Sequence, residues 1–160
     1  MIIRGQPTSI SHVYELMRDL STISRWEIDA FGYTTWSFLK ESHELLEQPG
    51  VEMETGFENG KPIVVFGTIP HGQLGKVRVV YLVAAERFFA LGAPMVRYAR
   101  KYVCKVADKY PGCRFDAYTA SPHPQVDRWL ALLGFEGPIE EGRTRLFRLY
   151  GKKRDVAKMK

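Results

Sequence analysis

The sequence predicts an α/β fold built on a mixed sheet, and three observations carry that reading. The pair Asn59-Gly60 sits between two β-type runs, which is a strong short-range hairpin signal. A run rich in Val, Leu and Tyr at 77–83 is followed by a long helical stripe and then by an alternating run at 113–120. A strand–helix–strand crossover of this kind makes its two strands parallel, whereas the hairpins before it are antiparallel. Helical stripes fill the segment before the first hairpin.

The elements follow in order. Residues 1–4 form a short β-type run. Pro7-Thr8-Ser9 supplies turn and N-cap chemistry, and Ile10, Val13, Leu16, Met17 and Leu20 then recur at helical spacing, so a helix is predicted over 9–20. Residues 21–30 are more weakly helical, and Phe31-Gly32-Tyr33 interrupts them. Trp36, Leu39, His43 and Leu46 restart a helix that stops before Pro49-Gly50. Strands are predicted over 51–57, 61–69 and 77–83, with a turn at 70–75. Met95, Ala99, Tyr102, Val103 and Val106 mark the long crossover helix, closed by Tyr110-Pro111-Gly112. After the strand at 113–120, Val126, Trp129, Leu130 and Leu133 form another stripe that Gly134 ends. A last strand covers 144–150.

The bulk numbers narrow the function classes. A chain of 160 residues is the size of one domain and buries a core without disulfides or metals. Hydrophobic residues at 45% and charged residues at 26% exclude disordered, collagen-like and coiled-coil readings. Residues 1–151 are read as one domain and 152–160 as a basic tail. The tail, with Gly151, holds five basic residues and one acid, which is +4 of the net +5, so the body is nearly neutral. That weighs against a nucleic-acid partner. The start lacks a secretory signal, and no apolar run approaches the ~20 residues of a membrane span. Cys104 and Cys113 read as reduced thiols. A cytoplasmic location is expected, and no metal site is.

The segment Val83-Ala84-Ala85-Glu86-Arg87-Phe88-Phe89-Ala90-Leu91-Gly92-Ala93-Pro94-Met95 is strand, turn and helix start. A helix N-terminus leaves backbone N–H groups unpaired, and its dipole favours an anion. Small residues at Ala90, Gly92 and Ala93 let a phosphate approach, Arg87 adds a cation, and Pro94 suits the first turn. These features fit a phosphate cradle and an ordinary helix start equally.

Arg87-Phe88-Phe89-Ala90-Leu91-Gly92 resembles the Arg/Gln-x-x-Gly-x-Gly/Ala motif of the GNAT (GCN5-related N-acetyltransferase) superfamily, and Trp129-Leu130-Ala131-Leu132-Leu133-Gly134-Phe135 resembles the family's helix-four pattern, which closes on Leu-Gly-Phe. The resemblance covers residues 61–150 well and the first 60 in element order only. It implies a mixed sheet of about six to seven strands, flanked by four to five helices and splayed at the central cofactor strand. It also implies acetyl-CoA or coenzyme A as cofactor, held by Leu82, Val83, Arg87, Ala90, Leu91, Gly92 and Ala93, and an acetyltransferase acting on an amine. Monomer and homodimer both fit.

Two departures matter. Ala90 stands where the motif has its first glycine, and Leu130 where many members carry a tyrosine that protonates the thiolate. His123 occupies a position that is often asparagine. Tyr118 or water is then the acid, and Glu54 and Glu86 are candidate bases, with Glu52 sharing the face of Glu54 and His71 in a nearby turn. Trp26, Phe31, Tyr33 and Trp36 lie where the acceptor groove borders, or they pack the core. More distantly, Ala99-Arg100-Lys101, Tyr110-Pro111 and Arg128-Trp129-Leu130 resemble a GNAT-like family of T7-like tailed bacteriophages. That resemblance implies a catalytically weakened protein in a host cytoplasm, binding CoA or a host protein.

Overall fold

The computed structural model describes residues 3–151. The first two residues of the terminal β-type run and the basic tail at 152–160 lie outside the described residues. The chain runs β1 (Arg4–Pro7), α1 (Ile10–Arg18), α2 (Thr22–Ala30), α3 (Thr35–Glu47), β2 (Glu52–Glu58), β3 (Lys61–His71) and β4 (Val77–Ala84). It continues with α4 (Glu86–Ala90), α5 (Ala93–Lys109), β5 (Arg114–Thr119), α6 (Pro124–Leu132), β6 (Glu136–Glu141) and β7 (Thr144–Tyr150).

The strands lie in one sheet in the order β1-β2-β3-β4-β5-β7-β6. Strands β1 to β4 are successively antiparallel, β4 and β5 are parallel, and β5, β7 and β6 are again antiparallel. The β2–β3 turn takes the form its sequence demands: Asn59 and Gly60 have φ of 51° and 76°, both left-handed, as a type I′ turn requires.

Each face of the sheet carries helices. On one, Val65, Tyr81 and Val83 pack against α1 and α3 through Val13, Leu16, Phe38 and Leu39. On the other, Val64, Phe66, Phe115 and Phe147 pack against α5 and α6. Strand β3 is covered on both sides, which is why its centre reads as an unbroken apolar run rather than an alternation. Burying a residue such as Phe66, 2% exposed, contributes roughly 1.5–3 kcal/mol. Arg78 is also buried, at 5%. Its guanidinium donates to Thr68 Oγ1 (2.8 Å) and lies over the Tyr110 ring at 3.9 Å, which offsets its loss of water.

The structure departs from the sequence reading in four places. Among the described residues the first strand runs over Arg4–Pro7, past the expected end at Arg4, because these residues pair with β2 from Phe57 to Glu54. The weak helix at 21–30 is a full element, since Ser21 Oγ accepts from Ser24 N and caps it. The loop expected after β4 contains the short helix α4. The edge strand β6 was not expected at all. Its residues are all exposed and show no alternation.

Candidate functional site

Strands β4 and β5 pair through just three residue pairs, Val77 with Arg114, Arg78 with Phe115 and Val79 with Asp116. Beyond that fork β4 keeps β3 as a neighbour but has no strand partner on its other edge, so the Val80 carbonyl and both backbone groups of Leu82 face that edge without a strand partner. Asp116, 2% exposed, sits at the fork. It accepts two hydrogen bonds from Arg114, Nε to Oδ1 at 3.0 Å and Nη2 to Oδ2 at 3.1 Å, and Arg148 Nε lies 3.3 Å from Oδ1. This forked pairing is what makes a buried carboxylate tolerable.

A cavity of about 190 Å³ occupies the splay. Ile28, Phe38 and Tyr81 reach it from the core on the α1–α3 side, and Phe89, Trp129 and Leu130 from the core on the α5–α6 side. The cavity therefore communicates with both faces of the sheet. Leu82 and Val83 line it from β4, and Tyr118 and Thr119 from β5. Tyr118 is partly exposed, and burial raises its phenol pKa above the ordinary value, with Asp116 and Glu141 adding to the effect.

Glu27 is the one carboxylate among the lining residues. It accepts from Thr119 Oγ1, from Ala120 N at 2.8 Å and from Ser121 N at 3.1 Å. The neighbouring Trp26 Nε1 donates to Ala120 O at 3.2 Å. Helix α2 is thereby fastened to the turn that follows β5.

The motif residues divide between two environments. Glu86 to Ala90 form α4, which turns Phe88 fully into the core beside Phe89 and Trp129, with ring centroids 5.5 and 6.5 Å away. That leaves Leu91-Gly92 as the turn. Gly92 adopts φ 68° and ψ −120°, a region that side chains disfavour, and nothing lies within 4 Å of where its Cβ would stand. Helix α5 starts at Ala93 with Pro94 in its first turn, where amides lack intrahelical partners. Ala90, Gly92 and Ala93 are exposed and Leu91 half-buried. Arg87 Nε donates to Glu58 Oε1 at 2.9 Å, beside a second cavity that Arg18, Arg25, Lys61 and Glu86 also line.

Of the three candidate catalytic residues, Tyr118 alone lines the splay. Glu54 faces α5, where Tyr98 Oη (2.8 Å) and Lys105 Nζ (2.9 Å) donate to it. Glu86 accepts from Thr22 N at 3.0 Å and so caps the start of α2. Leu130 lines the cavity and is 5% exposed. His123 caps α6, its Nδ1 accepting from Gln125 N. Sequence reasoning missed Glu27 and Phe89, and no spacing signal marks either. Among the described residues no group of three His, Cys, Asp or Glu side chains could hold a metal, and no helix is long and apolar enough to cross a membrane.

No family model and no curated protein sequence matches the chain. Solved structures do. The GNAT domain of S. lividans PAT matches with a TM-score of 0.74 at 12% identity, over 92% of this chain and 90% of that one. PaiA N-acetyltransferase from Thermoplasma acidophilum, in complex with coenzyme A, gives 0.66 at 10% identity, over 94% and 99%. AAC(6')-Ib, in a complex that includes acetyl-CoA, gives 0.64 at 14% identity, over 99% and 97%. At such identities the likeness is one of architecture, and the chain has the fold of the GNAT acetyltransferases.

Proposed function

We propose that the chain binds an acyl-CoA thioester in the splay between β4 and β5 and transfers an acetyl group from acetyl-CoA to an amine. The observation that carries this is the open edge of β4 beyond Val79 running towards the start of α5. The pantetheine arm of CoA carries two amides and can add to that edge as an extra strand does. Its pyrophosphate then meets the first-turn amides of α5 around Gly92 and Ala93, where the helix dipole favours negative charge. Leu82 and Val83 flank the arm, and Ala90 and Leu91 border the phosphates. Arg87 contributes long-range charge, since its Nε is engaged by Glu58. That solved structures of the same fold hold coenzyme A or acetyl-CoA supports the reading.

In the transfer, the neutral amine attacks the thioester carbonyl carbon. The C–N bond forms, the C–S bond breaks, the nitrogen sheds one proton to water, and the departing thiolate takes a proton from its donor, which water then restores. Tyr118 is our candidate donor. A tyrosine phenol stays protonated through the neutral range, so the proton is available, and the raised pKa makes Tyr118 a weaker acid than a free phenol. Tyr118→Phe is expected to lower kcat about 100-fold with CoA affinity unchanged, read as thiol release from acetyl-CoA beside a calorimetric CoA titration. An unchanged kcat would pass the role to water. Absence of any CoA binding by the native protein would sink the whole reading.

One observation favours a second reading. Leu130 presents only hydrocarbon to the cavity where many GNAT enzymes carry their acid. In that reading the protein grips CoA without turnover and acts by docking on another protein, a host protein if the phage resemblance holds. CoA binding without amine-dependent thiol release is its signature.

A further inference from the structure

The cavity has an uneven chemistry. Its walls include the rings of Phe31, Tyr33, Phe38 and Tyr118, no lysine or arginine lines it, and Glu27 supplies its one carboxylate. A carboxylate offers about four acceptor positions. Thr119, Ala120 and Ser121 take three of these at Glu27, so one remains for a donor that enters the cavity. The three fixed donors also hold the carboxylate in place, so it needs no reorganisation to receive a fourth. Phe31 is 46% exposed and lines the same cavity, which gives an apolar entrance. Ring faces beside a carboxylate suit an ammonium, because both attract positive charge.

We infer that Glu27 and the rings around it recognise the acceptor as a singly charged primary ammonium on an apolar or aromatic arm. This rests on the acetyl-transfer reading given above and names the acceptor for that same cleft. An anionic acceptor finds no cation among the lining residues. A polycationic one finds a single carboxylate. The arm packs against Phe31, Tyr33 and Phe38 on the α1–α3 side, opposite the side on which the start of α5 receives the phosphates. The ammonium is held at Glu27 and releases a proton to solvent before its nitrogen attacks.

The test compares two isosteres, 2-phenylethylamine and 2-phenylethanol, which differ in charge. Binding of each to the native protein with and without saturating CoA is measured by calorimetry, together with the CoA titration itself. The amine is expected to bind at least tenfold more tightly than the alcohol. In Glu27→Gln that preference should vanish while alcohol binding stays within about twofold. A structural role alone for Glu27 would weaken both ligands alike and so overturn the assignment. Equal affinity for amine and alcohol in the native protein overturns it without recourse to any variant. CoA binding with no amine preference removes the acceptor assignment and leaves the cofactor reading standing. Failure to bind CoA removes the cofactor reading and the acceptor role with it.

Discussion

Trp129→Ala is expected to destabilise the protein by about 3–5 kcal/mol, the range for deleting a large buried aromatic side chain. Trp129 is 7% exposed, and its ring lies 6.1, 6.5 and 6.1 Å from those of Phe66, Phe88 and Phe89. Those rings belong to β3 and α4, so one indole ties α6 to the central strand and to the short helix beside the splay. Its removal leaves a void that rigid neighbours cannot fill. For a chain of this size the loss corresponds to a fall in melting temperature on the order of 10 °C. Trp129→Phe should behave differently. The indole Nε1 is buried with no hydrogen-bond partner, and an unsatisfied buried donor itself costs about 1–3 kcal/mol. Phenylalanine removes that donor while keeping a ring, so a net loss of about 1 kcal/mol or less is expected. Chemical denaturation of the two variants decides the matter. Equal losses would mean that the ring's full size, and not its aromatic contacts, sustains the cluster.

Ala93→Glu is expected to weaken CoA binding at least ~100-fold while leaving the melting temperature unchanged or slightly raised. The two effects have one origin. Ala93 opens α5 and is exposed, so a carboxylate there meets the positive end of the helix dipole and costs the fold nothing. The same carboxylate competes for the first-turn amides and repels a pyrophosphate. Two unit charges 4 Å apart interact by about 4 kcal/mol at the effective dielectric of a protein surface, more than the ~2.7 kcal/mol of a hundredfold loss. Arg87→Ala should cost far less, a few-fold, because the half-exposed Arg87 side chain is engaged by Glu58. Calorimetric titration of both variants checks the order. If Arg87→Ala proves the more damaging, the phosphates lie on the Arg87 side and not at the start of α5.

Local chemistry made much of this fold legible. Asn59-Gly60 dictates its hairpin wherever the rest of the chain goes. The α5 stripe of Met95, Ala99, Tyr102, Val103 and Val106 is long enough for its period to be unmistakable, and all five residues are buried. What stayed hidden depends on distant partners. Helix α4 is five residues long, too short to show a period, and is stabilised by placing Phe88 against Trp129. Strand β6 has no buried face to impose alternation and exists through its pairing with β7. Glu27 looks like any surface carboxylate on α2, because its three donors lie 92 to 94 residues further along the chain. Conversely, Glu54 has the residue type of a base but meets Lys105 and Tyr98, an outcome that spacing along β2 does not encode.

The fork at Val79 and Asp116 leaves a mark on the time axis. Along β4 beyond it, backbone amides point alternately towards β3 and towards the open edge. Those bonded to β3 are released to deuterium by larger openings of the sheet, whereas those on the open edge exchange through small local fluctuations. Val80 still bonds across the fork, so the rate should peak at Leu82 between the slower Tyr81 and Val83, a record of one missing neighbour. A ligand that lies along that edge would erase the Leu82 peak, reporting its own presence without any turnover.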